Sequence, residues 1–134
     1  MTRAAHAVVR LVALPVIASA FVAWWLVGDL SEPDGEDTIM RLPFAERNAW
    51  QVGLIGLALG SVVATDAARN WRRGRGAAAT AATAGALTAA GLRVVTARVV
   101  GANIGGGFVI LAGPFVVVPL LAVAVAWAMA AAKT

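Results

Sequence analysis

LVALPVIASAFVAWWLVG, residues Leu11–Gly28, runs for eighteen residues without a charge. As a helix it covers about 27 Å at 1.5 Å per residue, close to the bilayer hydrocarbon thickness of about 30 Å. Arg3 and Arg10 precede it, and Trp24 and Trp25 lie near its far end, where aromatic rings favour the membrane interface. Pro15 falls in its first turns, where a proline disturbs a helix least. Ala18-Ser19-Ala20 matches the small-residue pattern of a signal-peptide cleavage site. Apolar sequence continues through Val27 with no polar start to a mature chain, so the expectation is an uncleaved anchor.

The rest of the composition agrees with a membrane segment. The chain has 134 residues, of which 60% are hydrophobic and 13% charged, with a mean hydropathy of +0.82. A soluble domain carries about 25% charged residues, so a water-soluble globule, a disordered tail and a nucleic-acid-binding domain all fit poorly. The net charge of +4 matters less than its distribution. Residues 29–50 hold Asp29, Glu32, Asp34, Glu36, Asp37 and Glu46 against Arg41 and Arg47, a net of −4. Residues 69–76 hold Arg69, Arg72, Arg73 and Arg75 and no acid, a net of +4. Two loops of opposite sign therefore flank one apolar segment. The abundance of Ala, Gly and Arg suggests a bacterial source with G/C-rich codons.

Working outward, the second apolar segment spans 52–68, where Gly56, Gly60 and Ala64 repeat at four-residue spacing. Small residues on one face let another backbone approach closely, within the chain or across a homo-oligomer. The third, 77–97, is the least apolar. Its Ala81, Gly85 and Ala89 form another small row suited to burial between helices, and Arg93 and Arg98 interrupt its far end. The fourth, 108–131, contains Pro114 and Pro119, each of which removes a backbone donor and predicts a kink or loosened turn. The sequence thus predicts one all-α membrane domain over 1–134, a bundle of four transmembrane helices. By the positive-inside rule the basic loop and both termini are cytoplasmic and the acidic loop lies outside. The expected location is a bacterial inner membrane.

Candidate chemistry is sparse. Cysteine is absent and His6 is the only histidine, so a thiolate site or a bis-histidine haem cannot form within one chain. The acids of 29–50 lack the EF-hand pattern, and Gly101–Gly107 lacks the lysine of a phosphate-binding loop. Ser19 and Ser61 have no histidine or lysine plausibly near them. We expect no enzyme activity and no cofactor. Asp66 is the one acid in or beside a span, suited to proton exchange or, three residues before Arg69, to an interfacial ion pair. Arg93 and Arg98 are expected to fasten the acidic loop, with snorkelling to headgroups or an anion site as alternatives.

Four short spans are similar in size and topology to small multidrug-resistance transporters. Those depend on a glutamate in the first helix, and Leu11–Gly28 contains no acid, so the similarity is one of architecture alone. The functional expectation is an accessory or assembly subunit, in a homo-oligomer or a larger membrane complex, with a small oligomeric transporter or pore as the alternative.

Overall fold

The computed structural model describes residues 2–31, 34, 49–70, 74–98 and 103–133, the side chains of 49 and 67–70 excepted. Most of the acidic loop and Arg69, Arg72 and Arg73 of the basic turn lie outside the described side chains. The described residues form four helices and no strand. Helix α1 is Arg3–Val27, α2 Ala49–Asn70, α3 Arg75–Thr96 and α4 Ile104–Ala132. Helices α1, α3 and α4 are long and apolar enough to cross a membrane, and Trp50–Asp66 of α2 is a shorter apolar stretch.

Helix α1 begins eight residues before the uncharged stretch. The Thr2 hydroxyl accepts the Ala5 N–H at 3.2 Å, which satisfies one of the donors that a helix start leaves without a partner. The turn Val9–Ala13 widens to π geometry. Pro15 explains it, because its ring crowds the carbonyl four residues back and supplies no N–H to it. The helix ends at Gly28, whose φ of 70° lies in the left-handed region that favours glycine.

The helices alternate in direction, and their order in space is α2, α1, α3, α4, with the first turns of α1 also touching α4. Consecutive helices α2 and α3 share no packed face; α1 lies between them. Small residues permit the close crossings. A Cβ added at Gly56 would meet Phe21 Cβ at 2.7 Å and the Val22 nitrogen at 2.9 Å, and one added at Gly85 would run into the Val16 carbonyl and the Ser19 hydroxyl. The core is correspondingly built of short side chains: Leu11, Val12, Ala77, Ala78, Ala81, Ala124 and Ala128, where α1, α3 and α4 meet near the basic end. Helix α3 contributes more of it than either α1 or α4, which explains how the least apolar candidate span is also the most buried. Helix α4 runs unbroken through Pro114 and Pro119.

Candidate functional site

Two clusters gather the polar side chains, one at each end of the helices. At the basic end the widened turn of α1 carries Arg10. Its guanidinium makes a two-pronged ion pair with Asp66 of α2, through Nη2 to Oδ1 and through Nε to Oδ2 at 3.1 Å. The antiparallel arrangement of α1 and α2 brings these residues, 56 apart in sequence, to one level. Asp66 therefore has a partner on another helix, whereas local spacing pointed to Arg69, whose side chain lies outside the described residues.

Above this pair, α2 and α3 diverge on either side of α1 and leave a groove of about 490 Å³. Pro15, Ala18 and Val22 of α1 form its floor, Gly60 and Val63 of α2 one wall, and Ala78 and Ala82 of α3 the other, with Arg75 at the basic end. Of the row Gly56, Gly60 and Ala64, only Gly56 touches α1. A Cβ at Gly60 would meet nothing within 4 Å, and Ala64 is exposed. The helices close at Gly56 and part beyond it. By contrast Ala81, Gly85 and Ala89 of α3 are all buried.

At the acidic end Arg93 is buried at 6% exposure. Its Nε donates to the Trp24 carbonyl at 2.9 Å, and its Cζ lies 4.0 Å from the centre of the Trp24 ring. Trp24 stands in the last turn of α1, where carbonyls lack helical partners. Arg93 therefore places its charge at the C-terminal ends of two helices, its own and α1, where a cation is favoured, and it does so over an aromatic face. Arg98 does not continue the helix. Helix α3 stops at Thr96, Ala97 is extended, and exposed Arg98 donates its backbone N–H to the Ser31 hydroxyl at 2.9 Å.

The same serine organises Asp29, whose carboxylate accepts the Ser31 N–H at 3.0 Å. Hydrogen bonds from the Ser31 hydroxyl and backbone hold Asp29 below its ordinary value of 3.8. The Arg93 and Arg98 charges add to this, and burial opposes it. The described start of the acidic segment is thus joined to Arg98 by a backbone hydrogen bond through Ser31, while Arg93 and Arg98 reach Asp29 through their charge.

Asn103, not singled out from sequence, serves two helix ends at once. Its Nδ2 donates to the carbonyls of Val94 and Ala97 at 3.0 and 3.2 Å, and its Oδ1 accepts the Gly106 N–H at 2.6 Å. The signal was present: an asparagine directly before a helix start is a preferred N-cap.

The hydroxyls within the helices are used locally. Ser61, Thr65, Thr83, Thr88 and Thr96 each donate to the carbonyl four residues back. Among the described residues no three histidine or carboxylate groups converge on a metal position. What the two clusters do is join helices: α1 to α2 at the basic end, and α1 to α3 and α3 to α4 at the acidic end. Comparison with known proteins adds no relative, since no family model, no curated protein and no solved structure matches the chain.

Proposed function

We propose that this chain is a multi-pass protein of a bacterial inner membrane, with four spans and cytoplasmic termini, that acts as an accessory or assembly subunit through helix–helix packing. The charge distribution supports the orientation, because Arg10 and Arg75 lie at one end of the helices while Asp29, the first residue of the acidic segment, lies at the other.

The observation that carries the assembly reading is a contrast between two outward faces. Helix α4 turns out Phe108, Leu111 and Phe115, large apolar side chains at 71%, 73% and 82% exposure, as a lipid-facing helix does. Helix α2 turns out Ala58, Ser61 and Thr65 as a narrow strip flanked by Leu54, Leu57 and Val62, all exposed. The first three lie at helical spacing on the face away from α1. Small and hydroxyl-bearing residues gain little from lipid and allow a second backbone to come close, so this face suits a partner helix.

The test is particle mass and protein content of the tagged full chain in nanodiscs formed directly from membranes. A discrete homo-oligomer or a stoichiometric larger partner, lost in Ala58→Leu/Ser61→Leu but kept in Phe115→Ala, is the expected result. A monomer, or an assembly indifferent to α2, overturns it. The transport alternative rests on Asp66; solute flux in proteoliposomes that stops in Asp66→Asn would replace the assembly reading.

A further inference from the structure

We propose that the groove between α2 and α3 is a binding site for one anionic phospholipid, its acyl chain lying along α1 and its phosphate at Arg75. The inference rests on the bilayer placement above and on no partner subunit.

Charge and polarity argue for this occupant. The groove walls are apolar from Val22 and Ala82 down to its basic end. The Ser19 hydroxyl on its lining is turned to the Val16 carbonyl at 3.1 Å. Arg75 at the mouth is exposed, and among the described residues nothing pairs with its guanidinium. A hydrocarbon lining that ends in an exposed cation is the complement of an acyl chain that ends in a phosphate. Basic positions between spans on the cytoplasmic side bind lipid headgroups in this way.

Length argues for it over a partner helix. Arg75 and Ala82 are seven residues apart, about 10 Å at 1.5 Å per residue. One leaflet contributes about 15 Å of hydrocarbon and the whole bilayer about 30 Å. The groove therefore runs from the interface through most of one leaflet and stops. Its deep end is closed by the crossings at Gly56 and Gly85, where α2 and α3 come down onto α1. A spanning helix from another chain needs a seam across both leaflets, whereas one acyl chain does not.

Two variants separate the parts of the site. Arg75→Gln removes the charge and leaves the groove. Gly60→Leu fills the groove and leaves the charge, at a position where an added Cβ meets no atom within 4 Å. The full chain is reconstituted in nanodiscs of mixed phosphatidylglycerol and phosphatidylcholine. Lipid kept after transfer to detergent is then counted by native mass spectrometry.

The expected result is one retained phosphatidylglycerol per chain in the wild type. Occupancy falls about fivefold in Arg75→Gln, the effect of one basic residue near an anionic surface, and falls for both lipids in Gly60→Leu. Equal retention of the two lipids by the wild type, or retention unchanged in either variant, overturns the proposal. So does capture of a second copy by a cross-linking Ala79→Cys chain in place of lipid. A chain that never enters the nanodiscs overturns the bilayer placement itself, which keeps that failure distinct from failure of the lipid site.

Discussion

At the scale of single residues, two glycines in the helices on either side of α1 make opposite predictions. Gly85 lies against the Val16 carbonyl, so Gly85→Val forces α3 away from α1 and is expected to cost about 1–3 kcal/mol, the range for overpacking. Gly60 faces open space, so Gly60→Ala is expected to be neutral or stabilising by about 0.5–1 kcal/mol through helix propensity. Reversible unfolding in mixed micelles, followed by tryptophan fluorescence, measures both. Equal costs at the two positions would show that α2 and α3 approach α1 equally closely.

Arg93 is the second residue-level case. Arg93→Lys keeps the charge but loses the planar stack on Trp24 and the Nε donor to its carbonyl, and is expected to cost about 1–3 kcal/mol in the same assay. Asp29 makes the pH prediction. Its folded pKa is depressed, so its link to Ser31 stabilises the fold above the ordinary value of 3.8 and is lost as pH falls through the lower folded value. Between pH 7 and 5 its contribution is therefore constant. Unfolding midpoints of Asp29→Asn and the wild type should differ there by a fixed amount and converge in stronger acid; a gap that closes above pH 5 contradicts this.

At the scale of helices, the Arg10–Asp66 pair fixes the end of α2 that the groove would otherwise free. Removing either partner is expected to cost about 1 kcal/mol, and Arg10→Met/Asp66→Asn together no more than the larger single effect, because one interaction is lost once. A double-mutant cycle that is additive would mean that the two groups stabilise α2 separately.

The all-helical character was legible in the sequence: it shows four apolar segments and the described residues hold four helices, although α1 begins at Arg3, eight residues ahead of the uncharged stretch that signalled it. The starts of α1 and α4 were not read: Thr2 and Asn103 are N-cap residues whose hydrogen bonds extend both helices outward beyond the most apolar stretch. Partners were not legible. Local spacing offers Asp66 only Arg69, and nothing near Arg93 points to Trp24, 69 residues away. Such pairs depend on which helices become neighbours, and small-residue rows say that a close contact exists without naming the other side. For Gly56, Gly60 and Ala64 they also do not say where along the row the contact stops.

At the scale of the whole molecule, no large described side chain is fully enclosed, and alanines fill the contacts between α1, α3 and α4. Under the proposed bilayer placement, burial of bulky groups from water cannot be what joins helices already dissolved in lipid. Close packing and the hydrogen bonds at the two ends take that role. The arrangement α2, α1, α3, α4 also bears on synthesis. A chain made from its N-terminus releases α2 and α3 in succession, yet those two do not pack together. Helix α3, the least apolar of the candidate spans, is covered by α1 on one side and by α4 on the other. While the ribosome is still making α4, α3 has half of its shelter. Chains stopped at Asn103 and carrying a glycosylation acceptor after α3 should therefore leave α3 outside the bilayer more often than full-length chains do. The fourth helix would then decide whether the third one stays.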